Sequence, residues 1–346
     1  MSVAIDLAEK GLVPEPVIRL GIRRLLRSRI REESARHSDR EAALLRFVRE
    51  MGGSEVAPVP ALANRQHYEV PAAFFEQVLG THMKYSSGWW PDGVDTLDAS
   101  EEAMLRLTAE RAGLADGQQV LELGCGWGSF TLWAAEHFPS SRITGVSNSA
   151  SQRAFILERA RQRGLGNVEI VTADMNRFEA PGRFDRVVSV EMFEHMRNWP
   201  ELVRRIHGWL VPGGRLFVHV FAHARFAYLF ETHADDDWMG RHFFTGGMMP
   251  SEDLLPRVRG PLELEGRWTV PGTHYARTAE AWHERLLERS EAAEAALTGP
   301  LSPEEARVQV RRWRMFFLAC AELFGFDAGR QWFVAHYLLS SPGGAR

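Results

Sequence analysis

The segment Glu191-Met192-Phe193-Glu194-His195 holds the residue types best suited to taking up a proton. If it opens a helix, Glu191, Glu194 and His195 fall at i, i+3 and i+4 and share one face. Two carboxylates beside an imidazole make an acceptor whose proton affinity burial and charge can tune. The same spacing also fits acidic residues at a helix N-terminus with a packed histidine. Function therefore depends on what else the fold brings to this segment.

A second site-forming stretch is Val120-Leu121-Glu122-Leu123-Gly124-Cys125-Gly126-Trp127-Gly128. An apolar run leads into three alternate glycines, and a helical pattern follows over Ser129–His137. Gly124, Gly126 and Gly128 permit tight dihedrals and let a ligand lie against bare backbone. The following helix would point its free N–H groups at that turn. The glycine pattern alone is a weak signal, and its context has to decide. In a doubly wound sheet, ligands bind beyond the carboxyl ends of the strands. That rule collects residues 124–128, 147–152, 172–176, 190–195 and 219–223. A dinucleotide enzyme usually places an acid after its second strand, whereas this chain has Ser147-Asn148-Ser149, with Gln152 one helical turn further. Asn and Ser can also bond sugar hydroxyls, and Asp174 could accept from the exocyclic amine of adenine. No phosphate-binding lysine follows the glycines, which argues against a P-loop nucleotide. These pieces suit an adenosine without a polyphosphate.

Stepping through the elements that must position these groups, residues 1–50 read as helices. Val17, Ile18, Ile22, Leu25 and Leu26 recur at helical spacing, with Arg19, Arg23, Arg24 and Arg27 between them. That pattern fits a cap packed on the core or a basic helix touching an anionic membrane, with Glu32, Glu33, Asp39 and Glu41 diluting the charge. A Gly- and Pro-containing linker over residues 52–60 separates this region from a main domain over 61–346. The blocks 64–70 and 84–90 are rich in aromatics and hydroxyls without a clean period, which suits pocket lining or a covering loop. A short helix over 72–79 lies between them.

Regular alternation begins at a helix over 99–112. Strands are predicted at 120–123, 142–147, 167–172, 184–190 and 215–221, with helices at 129–137, 149–163 and 199–210. This order predicts an α/β fold: a doubly wound, mostly parallel sheet. The segment 226–250, extended to 260, breaks the rhythm with many aromatics around Asp235-Asp236-Asp237, and is expected to be a lid over a pocket. The acidic run is either a solvated loop or a cation-attracting site. Helices at 278–297 and 303–324 and a last strand at 332–339 complete the chain.

Bulk properties narrow the function classes. Of 346 residues, 45% are hydrophobic and 25% charged, the ordinary globular mix. A net charge of −4 gives no case for nucleic-acid binding. Two cysteines, Cys125 and Cys320, form neither a disulfide framework nor a metal site. No apolar run approaches the roughly 20 residues that span a bilayer, and no secretory h-region is recognised. A cytoplasmic enzyme without stable membrane insertion is expected.

With Asp174 and Pro212-Gly213-Gly214, the stretch 120–128 resembles the class I S-adenosylmethionine-dependent methyltransferases. More closely, the chain resembles the group that holds cyclopropane-fatty-acyl-phospholipid synthases and the coclaurine N-methyltransferase-like enzymes. The motifs that carry this likeness are Gln66-His67-Tyr68, Lys84-Tyr85-Ser86, Ser147-Asn148-Ser149-Ala150-Ser151-Gln152, Glu191-Met192-Phe193-Glu194-His195-Met196, Phe226-Ala227-Tyr228 and His274-Tyr275-Ala276-Arg277-Thr278. Asp236-Asp237-Trp238 and Glu322-Leu323-Phe324-Gly325 favour the coclaurine-like branch.

The resemblance implies a Rossmann-like, seven-stranded sheet and a homodimer. It implies that Tyr85, Ser86, Gly124, Asn148, Gln152, Asp174, Met175 and Val190, with Gly126, Gly128 and Ser147, surround S-adenosylmethionine. It implies that Glu191, Glu194 and His195 face the methyl acceptor. Cyclopropane synthases use a bound bicarbonate as base; this chain keeps Glu194, His219 and Tyr275 but has Ser87 where they have a cysteine. The expected reaction is methyl transfer to an amine, with Glu194 and His195, supported by Glu191, accepting the proton. Trp89, Phe226, Tyr228 and Trp238 are expected to hold the cationic amine over their faces, with His219 and Tyr275 nearby. The alternatives are modification of an unsaturated acyl lipid, or cofactor binding that regulates a partner.

Overall fold

The computed structural model describes residues 3–37, 39–58, 70–230, 238–258 and 260–342. The Gln66-His67-Tyr68 motif and the Asp235-Asp236-Asp237 run lie outside the described residues. The central feature is a seven-stranded sheet. Its strands are β1 (Gln119–Leu123), β2 (Arg142–Ser147), β3 (Val168–Thr172), β4 (Phe184–Val190), β5 (Leu210–His223), β8 (Glu263–Val270) and β9 (Trp332–Ser340), while β6 (Tyr228–Leu229) and β7 (Met248–Met249) form a separate ribbon. The order β3-β2-β1-β4-β5-β9-β8 reverses direction of growth beside β1, which creates the switch point at its carboxyl end. β9 runs antiparallel between β5 and β8, and the pairings among the first five strands are parallel.

Sequence and sheet agree for a physical reason. Central parallel strands are covered on both faces, so they must be apolar almost throughout. Val120, Leu121 and Leu123 of β1 and Val187 and Val188 of β4 are fully buried accordingly. Glu122 is the exception in β1, and its carboxylate is accounted for by the hydroxyl of Thr131. Pro212-Gly213-Gly214, expected to close a helix, instead sits within β5 as an irregularity, with the register against β4 shifting between Phe184 and Arg186.

The predicted helix over 278–297 is two helices, α11 (Gly272–Glu288) and α12 (Ser290–Leu297). Arg289 leaves helical dihedrals between them (φ −118°, ψ 26°), and no Gly or Pro marks the break. α11 also begins earlier than predicted because Gly272 fits where a side chain could not. A Cβ there would stand 2.0 Å from the Trp332 carbonyl oxygen and 2.4 Å from that of Phe324. This early start places Tyr275 on a helix rather than in a loop.

At the N-terminus, helix α2 (Glu15–Arg36) packs on α13 (Pro303–Gly325). Arg19, read as part of a basic face, pairs with Glu280 (2.6 Å) and Glu322 (3.1 Å), and Arg23 also reaches Glu322. These ion pairs fit the cap reading, while Val17, Leu20 and Leu25 remain exposed on the opposite side. No helix among the described residues is long and apolar enough to cross a membrane.

Candidate active site

A crevice opens at the carboxyl ends of β1, β2 and β4. It has two lobes that share Gly124, Gly126, Gln152 and His195. The first lobe is lined by Ala57, Ser147, Asn148, Asp174, Met175 and Met192 among others, and is formed from strand-end loops. The second is apolar and aromatic, lined by Phe221, Phe230, Phe244, Trp282, Phe316 and Phe324, with Met239 and Met249.

The glycines divide the work between ligand and packing. Gly124 (φ +77°), Gly126 (φ +51°) and Gly128 (φ +81°) all adopt left-handed dihedrals that L side chains rarely take. A Cβ on Gly126 would meet no protein atom within 4 Å, so its open side is the crevice itself. Gly128 does not line the crevice: a Cβ there would stand 2.7 Å from Ile156, so this glycine serves helix packing. Gln152 is buried and its Oε1 accepts from the Ser147 hydroxyl (2.6 Å). The Gln152 Nε2, Ser129 hydroxyl, Trp127 Nε1 and Trp282 Nε1 are buried and lack a hydrogen-bond partner among the described residues. All four belong to residues that line the second lobe. Buried donors of this kind call for acceptors on a ligand. A polar, hydroxyl-bearing group such as an adenosine with an amino-acid tail fits that donor set.

The Glu191–His195 segment departs from the predicted helical face. Glu191 sits at φ +48°, and a short 3₁₀ turn follows over Phe193–His195. The reason lies in the sheet: the Glu191 N–H donates to the His219 carbonyl (2.8 Å), and the chain then turns sharply out of β4. The turn folds the Glu191 carboxylate back over β5. It accepts from Tyr275 OH (2.7 Å), from the Ser87 N–H (3.1 Å) and from His219 Nε2 (3.2 Å). Glu191, His195 and Tyr275 line the second lobe. Glu194 stands behind its wall, fully buried, with Oε1 accepting from the Phe221 N–H (2.7 Å) and Oε2 without a partner among the described residues. The two acids are thus not equivalent. Burial raises the proton affinity of Glu191, while Lys84, the Tyr275 hydroxyl and the Ser87 N–H pull it back. Burial, and then the Glu191 charge, hold Glu194 well above the usual carboxyl range. Both acids are raised by burial, and Glu194 holds a proton the more tightly of the two.

The remaining sequence-predicted residues divide sharply. Tyr85, Ser86, Gly124, Gly126, Ser147, Asn148, Gln152, Asp174, Met175 and Val190 all line one lobe or the other. Of the six residues expected at the acceptor, Tyr275 lines the crevice and the buried His219 supports Glu191 from behind. Trp89, Phe226, Tyr228 and Trp238 do not line it. Phe226 stacks on His223, Tyr228 OH accepts from Trp332 Nε1 (3.2 Å), and Trp238 Nε1 donates to Glu9 (2.7 Å), so these rings tie outer layers together. The lid instead contributes Phe230, Met239, Phe244 and Met249 to the second lobe. Phe244 also contacts the His195 ring, with centroids 4.5 Å apart.

Sequence reasoning passed over Lys84 as a site residue. Its Nζ is buried in the second lobe and donates to the Ser86 hydroxyl and the Ser87 carbonyl (2.8 Å). Burial lowers its pKa to about 8 against the pull of Glu191, Glu101 and Glu122. Burial likewise pushes the Glu122 carboxyl up to about 7. An apolar neighbourhood that contains a lysine was the one available signal, since such a residue is buried only when paired.

Comparison with known proteins places this geometry. A family model described as mycolic acid cyclopropane synthetase matches residues 59–330. The chain is 35% identical to (S)-coclaurine N-methyltransferase of Thalictrum flavum subsp. glaucum, over 97% of this chain and 96% of that protein. It is 30% identical to cyclopropane-fatty-acyl-phospholipid synthase of Escherichia coli (strain K12), over 65% of this chain and 56% of that protein. A solved coclaurine N-methyltransferase, bound to N-methylheliamine and SAH, superposes with a TM-score of 0.92 at 33% identity, covering 97% of this chain and 98% of that one.

Proposed function

The chain belongs to the mycolic acid cyclopropane synthetase family and is an S-adenosylmethionine-dependent methyltransferase, and from that premise we propose that it methylates the nitrogen of a bulky aromatic amine. One observation carries this reading. The Glu191 carboxylate lies on the wall of a lobe lined largely by aromatic and apolar side chains, with Lys84 also in its lining. A carboxylate beside aromatic faces suits an ammonium with an aromatic body, which is held by both features.

Gly124, Gly126, Ser147, Asn148, Gln152, Asp174 and Met175, with Tyr85, Ser86 and Val190, are the residues that would hold the cofactor. When bound, S-adenosylmethionine supplies an electrophilic methyl group. The chain's own task is to place a nitrogen with a free lone pair. Aliphatic amines are mostly protonated at neutral pH, so a proton must leave first. The Glu191–Glu194–His195 cluster accepts it, with Glu191 and His195 at the cavity surface and Glu194 behind them. A positioned base of this kind contributes about 10²–10⁴-fold. The aromatic wall excludes water and orients the ring system. The donors of His219 and Tyr275, which the cyclopropane synthase resemblance assigned to bicarbonate, are directed here at Glu191. That arrangement favours a protein carboxylate in the role of base. A homodimer, the expected assembly, is tested by sedimentation of the full chain.

Methyl-labelled S-adenosylmethionine is incubated with coclaurine, a panel of secondary aromatic amines and an unsaturated phospholipid, and products are read by mass. An N-methyl amine is the expected product. A ring-containing or C-methylated lipid with no amine product overturns the reading.

A further inference from the structure

Glu191 is the end of a hydrogen-bonded file that crosses the sheet. Its Oε1 meets His219 Nε2 (3.2 Å), His219 Nδ1 meets His336 Nε2 (3.0 Å), and His336 Nδ1 meets Arg111 Nη1 (2.7 Å). The sheet sets this alignment. His219 of β5 and His336 of β9 are directly paired in register, and His336 is paired in turn with Trp268 of β8. Arg111, in the last turn of helix α5 (Leu97–Ala112), lies over the Trp268 ring at 5.2 Å and reaches down to His336. Arg111 has no ion pair with a carboxylate among the described residues, and its side chain is hydrogen-bonded to His336.

The chemistry of the four groups fixes the direction of the file. A guanidinium can only donate. His336 Nδ1 must therefore accept, which puts the proton of a neutral imidazole on Nε2. That N–H donates to His219 Nδ1, so the proton of His219 also lies on Nε2 and points at Glu191. Both rings are fully buried. Burial, with Arg111 and Lys84 nearby, keeps both well below the usual histidine range, so they stay neutral. We infer that Arg111 and His336 are positioning residues for the proton acceptor: they lock both histidines in the Nε2–H tautomer and so deliver a permanent hydrogen bond to the Glu191 carboxylate. Donors aimed at a carboxylate favour its ionised form. The file thereby supplies Glu191 with a neutral imidazole donor polarised by a guanidinium that stays outside the cavity. The other groups that face Glu191 are Lys84, Tyr275, Glu194 and Cys320.

This inference rests on Glu191 acting as base, but its first test needs no substrate. The full chain, labelled with ¹⁵N-histidine, is compared with Arg111→Leu, Arg111→Lys and His336→Phe. Two buried Nε2–H imidazoles are expected in the parent, a changed His336 tautomer in R111L, and recovery in R111K. An Nδ1–H tautomer at either ring in the parent overturns the file, whatever the enzyme methylates. The second test is the pH profile of kcat/KM with an accepted amine. Losing the donor raises the pKa of Glu191, so the acid limb should move up by about one pH unit in R111L and in H336F. S-adenosylmethionine affinity should stay within about twofold. The double variant should shift no further than either single one, because both break one wire. Additive shifts, or an unmoved acid limb in both folded variants, overturn the positioning role. Correct tautomers in a protein that methylates no amine would sink the proposed reaction and leave the file standing.

Discussion

The two lobes of the crevice share a floor at Gly124 and Gly126 but are built on different logic. The first lobe consists mainly of loops that begin where a strand ends, so all its lining residues but Ala57 and Thr245 lie within a few positions of β1, β2, β3 and β4. The second lobe holds Tyr85 and Ser86 together with Phe221, Phe230, Met239, Phe244, Met249, Tyr275, Trp282, Phe316 and Phe324, which come from α11, α13 and several other elements. Local geometry makes the first lobe insensitive to distant change. Long-range packing makes the second tunable, since each wall residue comes from a different element.

The largest expected effect falls on the shared floor. Gly126→Val adds a side chain at φ +51° and fills the crevice, while touching no protein atom nearby. Calorimetry should find S-adenosylmethionine binding lost, with Tm lowered by the strained dihedral but the fold retained; unchanged binding would refute the site. Next, Glu191→Gln retains shape but removes the charge. Turnover should fall about 10²–10⁴-fold with cofactor affinity nearly intact. A drop of less than threefold removes Glu191 from the chemistry.

A smaller effect separates the lobes cleanly. Phe244→Ala deletes an acceptor-wall ring, and KM for the amine should rise about 2–30-fold, matching roughly 0.5–2 kcal/mol of ring–cation contact, while the cofactor Kd holds. Equal weakening of both ligands would mean that the lobes are coupled. The smallest effect concerns stability. Glu122 has its folded pKa raised to about 7 from 4.5, chiefly by burial. The folded state therefore binds more protons between those values, and the contribution is full below 4.5 and lost as pH rises through 7. Glu122→Gln should flatten the decline in Tm across that window; an identical slope would show that Glu122 is ionised throughout.

The same contrast explains what could be read in advance. Residues 120–128, 142–147 and 184–190 carry their structure in local signals: apolar runs, glycines at tight dihedrals and helical periodicity. Asn148, Gln152 and Asp174, expected at the cofactor, followed from their places after the strands at 142–147 and 167–172, and all three line the first lobe. Trp89, Phe226, Tyr228 and Trp238 were expected at the acceptor because aromatics in an irregular segment suit a pocket, yet they face other layers. Phe230 and Phe244 belong to the same segment and do line it. Nothing local distinguishes these two sets, since which ring turns inward depends on helices up to a hundred residues away. The conformation of Glu191, though not its place at the site, escaped for the opposite reason. Its neighbours spell a helix, and only the hydrogen bond to the His219 carbonyl reveals the turn.

The left-handed dihedral of Glu191 carries a practical consequence. A side chain at φ +48° costs about 1–3 kcal/mol that glycine would not. Replacing Glu191 by glycine would relieve that strain but leave the Tyr275 hydroxyl, the Ser87 N–H and His219 Nε2–H without their acceptor. The strained backbone is thus held in place by the donors that converge on its carboxylate.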